Sequence, residues 1–103
     1  MKELGHGQVW WADLDKVRPV VVLTRRRVAP MLQRVLVAPV TSVVRGIPTE
    51  VPLGPGEGVK EGSVANLDNI QLVPVERLLG LAGLVPRGRW GEFCSAAAAM
   101  MAC

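Results

Sequence analysis

What most limits the folding of this chain is its punctuation. Eleven glycines and eight prolines are spread over 103 residues, cutting the apolar stretches into runs too short for long helices. The runs that survive are rich in valine, tryptophan and threonine, side chains that fit a pleated surface. "QVWWADL" (8–14) and "RPVVVLT" (18–24), joined by the polar "DK", predict two neighbouring antiparallel strands. "QRVLVAPVTS" (33–42) is apolar nearly throughout and predicts a third, central strand. "TEVPL" (49–53) carries Pro52, which cannot donate to a ladder, so this run belongs at an edge or a strand end.

The connections follow from the same logic. "RRRVAPML" (25–32), broken by Pro30, predicts a loop with at most one helical turn. "GPGEGVKEG" (54–62) has the spacing of neither phosphate-cradling glycine motif and is expected to be a flexible hairpin loop. "SVANLDNIQLVP" (63–74) predicts two short strands meeting near Asp68 and Asn69, and "VERLL" (75–79) a single helical turn opened by Pro74. In "RWGEFCSAAAAMMAC", Trp90, Phe93, Ala97 and Met101 recur at helical spacing, so one terminal helix should pack on the strands. Short antiparallel strands closed by a helix point to a mainly β fold, a small antiparallel barrel.

Length and composition fit a single domain spanning residues 1–103, and an apolar fraction of 50% favours a face buried in a homodimer. No apolar run approaches a membrane span, and "MKELGHGQ" has no apolar segment behind its charges, so a cytoplasmic protein without a membrane is expected. Cys94 and Cys103 both fall in the alanine-rich tail. Nine positions of helix would separate them by about 13 Å, so free thiols are expected. One histidine and two distant cysteines do not supply clustered metal ligands, so neither a metal nor a cofactor is expected.

The net charge is +3, and arginine supplies most of it at Arg18, Arg25, Arg26, Arg27, Arg34 and Arg45. Arginine forks suit phosphates; the run 25–27 reads equally as a solvated turn. The usual catalytic sets are missing. His6, the only histidine, lies in a terminal segment and is expected at the surface. Asp13 and Asp15 share one face of a strand, but at a turn where acidic residues are ordinary. Trp10 and Trp11 point to opposite faces, so one should be core and the other exposed.

In order, "GQVWWADLDKVRPVVVLT", "VLVAPVTSVVRG", "TEVPL" and "GSVANLDNIQLVPVERL" resemble the MazF/PemK family of toxin endoribonucleases from bacterial toxin–antitoxin systems. The resemblance covers nearly the whole chain. It implies a small barrel with an SH3-like core (MazF/CcdB type), a homodimer, and sequence-specific, metal-independent cleavage of single-stranded RNA. It makes Arg18 and Thr41 the catalytic pair and has Ser42, Arg45 and Asn69 line the RNA groove, Asn69 standing where many relatives carry glutamine. Arg25 is a further expected RNA contact. The chain reaches Arg18 directly after "DLDKV", without the longer glycine-rich loop of many members, as in a short-loop branch, and Gln8 replaces a more common acid. A small acidic antitoxin is the implied partner, and both the dimer and the antitoxin are expected to use the face that carries Arg18 and Thr41.

The chemistry can be stated apart from the family. RNA carries its own nucleophile, the 2′-hydroxyl, so an enzyme that aligns it and stabilises the developing charge needs no side-chain nucleophile. Arg18 would fork onto the non-bridging oxygens and Thr41 would donate a hydrogen bond; the general base is unassigned. Pro19 fixes its own φ and restrains Arg18 to extended geometry in front of a buried strand. Read without the resemblance, Arg18 is a strand-end charge paired with Asp13 or Asp15, and Thr41 a β-branched residue closing a strand. Two other functional classes fit the same residues: a CcdB-like toxin that inhibits DNA gyrase, and a non-catalytic RNA-binding barrel.

Overall fold

A computed structural model of the protein describes residues 4–26 and 32–102. The alternating "QVWWAD" run forms β1 (Gln8–Asp13), which pairs antiparallel with β2 (Val17–Val22), Trp11 opposite Pro19 and Ala12 opposite Arg18. Val20, Val21 and Val22 are all fully buried, so β2 is covered on both faces and its apolar run needs no alternation. Pro19 costs β2 little, because the ladder to its other neighbour begins only at Val20.

Strand β3 (Arg34–Thr41) is central, as expected: β2 lies along one edge, and β5 (Ser63–Asn66) and β6 (Gln71–Pro74) share the other. Strand β4 (Glu50–Leu53) pairs only with β5, so the run with Pro52 is indeed an edge. The sheet runs β4-β5-β3-β2-β1-β7, with β6 beside β3. Helix α1 (Trp90–Met100) closes one side. Two core clusters result. One joins Val9, Val21, Ala38 and Val40 to Phe93 and Ala96 of α1; the other joins Trp10, Ala12, Val20, Val22, Val37 and Leu78. Burying a side chain of the size of Phe93 contributes about 1.5–3 kcal/mol. Trp10 is core and Trp11 is 40% exposed, which is the expected split.

The structure departs from the sequence reading at several points. Strand β7 (Leu78–Leu84) was not foreseen: the turn opened by Pro74 ends at Arg77, and Leu78 and Leu79 begin a strand that pairs with β1. Glycines at 80 and 83 and the lack of β-branched residues hide it. On α1 the expected stripe shifts, for Phe93 and Ala96 are buried whereas Met101 is 64% exposed just past the helix end. His6 is half-buried rather than on the surface, its ring 5.0 Å from that of Trp90. Cys94 is a free, exposed thiol. Cys103 and most of the 25–32 loop, residues 27–31, lie outside the described residues. No helix among the described residues is long and apolar enough to cross a membrane.

The segment 54–62 does join β4 to β5 as a hairpin, but it is anchored rather than flexible. Glu57 and Val59 are buried, and the Glu57 carboxylate accepts from the Gly54 N–H at 2.8 Å. Arg89 reaches the same carboxylate at 3.4 Å and also donates to Glu92 (2.7 and 2.9 Å) and to the Pro52 carbonyl (2.7 Å). That hydrogen bond from Arg89 holds the Glu92 carboxyl below its ordinary range. Its stabilising effect is therefore present above the unfolded-state pKa and lost as pH falls through the folded one.

Gly58, at φ +81°, and Gly83 bring the hairpin and β7 together so closely that a Cβ on Gly83 would overlap the Glu57 carbonyl. Gly83→Ala should cost about 1–3 kcal/mol by overpacking. Gly56→Ala, which meets open space, should stay within about half a kcal/mol. Urea unfolding of both variants checks this, and equal costs would contradict the close approach.

Candidate active site

A slip of register makes the cleft. Against β3, Ala65 stands opposite Val40 and Gln71 opposite Val37, so the chain spends six positions where β3 spends three. The excess forms a 3-10 turn at Leu67–Asn69, which buries Leu67 and turns Asp68 and Asn69 outward. Asn66 caps this turn, its Oδ1 accepting from the Asp68 N–H at 2.9 Å, and the buried Thr49 hydroxyl donates to Asp68 Oδ2 at 2.6 Å. Asp68, Asn69, Ile70 and Gln71 form one wall of a cleft of about 550 Å³, and Leu14, Asp15, Arg18 and Pro39 form the other.

Arg18 enters from the mouth of β2. Its Nη2 donates to Asp15 Oδ2 at 3.0 Å, and its side chain is 27% exposed against 74% for Asp15. Its Nε is buried and, among the described residues, has no hydrogen-bond partner. The Asp15 carboxyl is lowered below its ordinary value, first by the Lys16 backbone N–H and then by Arg18, against a desolvation that raises it. The strand-end reading of Arg18 is thus correct as far as it goes, with Asp15 rather than Asp13 as partner. An ion pair whose acid is so exposed is weak and readily exchanged.

The β2–β3 ladder ends at Val20 opposite Pro39, two positions short of Arg18 on one strand and of Thr41 on the other, and Thr41 itself pairs with Val64 of β5. Thr41 is half-buried, and its hydroxyl accepts from the Val43 N–H at 3.1 Å, which leaves its proton free to be donated. Ser42 and Arg45 lie in the exposed segment after β3. The Glu50 carboxylate ties that segment down, accepting from the backbone N–H of Arg45 at 3.1 Å and of Gly46 at 2.9 Å.

The structure gathers Arg18 and Asn69 in one cleft; Thr41, Ser42 and Arg45 are not among the residues that line it, Thr41 ending β3 and Ser42 and Arg45 following on the exposed segment that leaves it. Arg25 is exposed beyond the opposite end of β2, apart from the cleft. Asp68 and Gln71 also line the cleft, and sequence reasoning did not single them out. The only signal for Asp68 was the asparagine two positions before it, a residue type suited to capping a turn. Among the described residues, no three His, Cys, Asp or Glu side chains come together as a metal site. The arrangement can hold a phosphodiester: an oriented guanidinium faces an amide across an open groove.

A family model described as PemK-like, MazF-like toxin of type II toxin-antitoxin system matches residues 6–101. A Mycobacterium tuberculosis protein described as probable endoribonuclease MazF5 is 39% identical over 94 residues, covering 88% of this chain and 86% of that protein. The fold is similar to that of the M. tuberculosis toxin MazF-mt6, with a TM-score of 0.89 at 38% identity, covering 92% of this chain and 96% of that one. It is also similar to a mycobacterial endoribonuclease in complex with its cognate antitoxin, with a TM-score of 0.86 at 26% identity over 96% of this chain and 95% of the other.

Because Asp15 occupies one arm of the Arg18 fork, Asp15→Asn should leave the melting temperature unchanged and tighten binding of inorganic phosphate severalfold. The Arg18 Nε–H signal in an NMR titration reads the affinity. Weaker phosphate binding would show instead that Asp15 holds Arg18 in its productive pose.

Proposed function

This chain belongs to the PemK-like, MazF-like family of toxins of type II toxin–antitoxin systems, and from that premise we propose that it is an endoribonuclease that cuts single-stranded RNA at the Arg18 cleft. In the proposed reaction the ribose 2′-oxygen attacks the adjacent phosphorus and the bond to the 5′-oxygen breaks. The 2′ proton leaves to a base, and the departing 5′-oxygen takes up a proton. The ends are a 2′,3′-cyclic phosphate and a 5′-hydroxyl, and the chemistry needs no metal ion.

One observation carries this reading. Arg18 is mounted on a doubly covered strand, yet its fork is incompletely satisfied: one arm rests on an exposed carboxylate and, among the described residues, Nε has no partner. A phosphodiester displaces Asp15 and takes the fork, which then stabilises charge as the phosphorane-like transition state forms. Thr41 donates to the same phosphate. Asn69, Ser42 and Arg45 hold the neighbouring nucleotides, and Arg25 adds electrostatic attraction farther along the strand. Asp15 and Asp68 are the carboxylates of the cleft, and so the groups there able to accept the 2′ proton.

Residues 1–103 act as one toxin domain in the cytoplasm, where its substrate is. Its partners are a second copy of itself and a small acidic antitoxin. Trp11, Val17, Leu79 and Leu81 leave apolar surface exposed on the β1, β2 and β7 strands, which supports a covering partner. The antitoxin blocks cutting by occupying the face that holds Arg18 and Thr41.

Arg18→Lys keeps the charge and loses the fork, so it tests the reading. The melting temperature should be unchanged and RNA affinity only modestly reduced. Single-turnover cleavage should fall on the order of 10²–10³-fold, as for loss of a preorganised donor. A variant that cuts at the wild-type rate would remove Arg18 from the mechanism.

A further inference from the structure

A second cavity, of about 660 Å³, lies at the other end of the β1–β2 ladder from Arg18, lined by His6, Gly7, Arg26, Leu84, Val85, Pro86, Arg87 and Trp90. From Gly7, which donates its N–H to the Val22 carbonyl at 3.0 Å, to Ala12, which faces Arg18, the strand advances about 17 Å. The cavity is thus separate from the cleft already described, and its size falls within the range that takes a small organic ligand.

Its chemistry is specific. Among the described residues Arg26 and Arg87 both line it, no carboxylate does, and neither guanidinium has an ion-pair or hydrogen-bond partner. Arg26 is nonetheless held in place, for its side chain lies so tightly over Gly5 that a Cβ there would come within 2.9 Å of its own Cβ. The opposite side is aromatic and apolar. Phe93 stacks on the Trp90 indole at 4.8 Å, and the His6 ring leans on the same indole at 49°, which fixes a wall of two rings beside Leu84 and Pro86. Gly7, at φ +89°, lines the cavity without a side chain.

We propose that this cavity is a nucleotide site that binds a nucleoside monophosphate, the phosphate between Arg26 and Arg87 and the base against His6 and Trp90. Two guanidiniums that have no acid beside them among the described residues select a phosphate, and an aromatic wall selects a ring over a bare ion. The same chemistry is offered by a free mononucleotide and by the 5′-phosphorylated end of an RNA strand. The proposal does not rest on the cleavage reading, since the cleft and the cavity share no residue.

The test is a titration of the full-length protein with AMP, followed by the indole N–H signals in NMR. The Trp90 signal should move saturably while that of buried Trp10 stays fixed. Inorganic phosphate and adenosine should each bind at least tenfold more weakly. The double variant Arg26→Ala, Arg87→Ala should weaken AMP binding at least tenfold with an unchanged melting temperature, and Arg18→Ala should have no effect on it. If that double variant fails to fold, Arg87→Ala alone should weaken AMP binding at least threefold. Competition by a 5′-phosphorylated 2′-O-methyl decamer, but not by its 5′-hydroxyl form, identifies an RNA end as the ligand; AMP binding without competition identifies a free nucleotide. Phosphate binding as tightly as AMP, loss of binding in Arg18→Ala, or occupation by an acidic peptide while AMP leaves Trp90 unmoved would each overturn the proposal.

Discussion

The fold and its cleft both depend on how β3 is paired. One edge of this strand is satisfied by β2 and the other by two consecutive strands, β5 and β6, whose registers disagree. Backbone groups in a buried strand must be paired, so the chain between β5 and β6 cannot simply run on; it leaves the sheet as the turn at Leu67–Asn69. That departure sets Asp68 and Asn69 across from Arg18, which the neighbouring β2 carries on β3's other side. The cleft is therefore a consequence of sheet pairing, and its walls are as rigid as the ladders that hold them.

Two arginines show how the same side chain serves two ends. Arg89 meets Glu57, Glu92 and a backbone carbonyl, so its donors are largely used and it fastens the β4–β5 hairpin to the start of α1. Among the described residues Arg18 meets one exposed carboxylate and keeps a buried Nε–H unmatched. A guanidinium satisfied by its own chain fixes structure, whereas one held in place but unsatisfied is ready for a ligand. Arg26 and Arg87 fall in the second group, at a separate cavity.

Much of this was legible in the sequence where local chemistry decides. The valines of β2, the central "VLVAPV" run, the edge position of Pro52 and the alanine-rich helix all read correctly, because each depends on propensity or on a missing N–H. The recurrence of the four motifs carried the fold and the family. Strand β7 was not legible, since a run of leucines and glycines becomes a strand only through pairing with β1. Nor was the anchoring of "GPGEGVKEG", because the partners of Glu57 and Gly58 come from residues 83 and 89, far along the chain. Asp68 was missed as a cleft residue because its place depends on a register slip that no local pattern records.

In the proposed reaction Arg18 promotes attack by the RNA's own 2′-hydroxyl. That step is tested most directly by identifying the ends left when the purified protein cuts a long single-stranded RNA in excess EDTA. Mass spectrometry of the fragments should find 2′,3′-cyclic phosphate and 5′-hydroxyl ends, with cutting undiminished by the chelator. Fragments with 5′-phosphate and 3′-hydroxyl ends, or cutting abolished by EDTA, would mean that water or a metal-bound hydroxide is the nucleophile, and the account would fail.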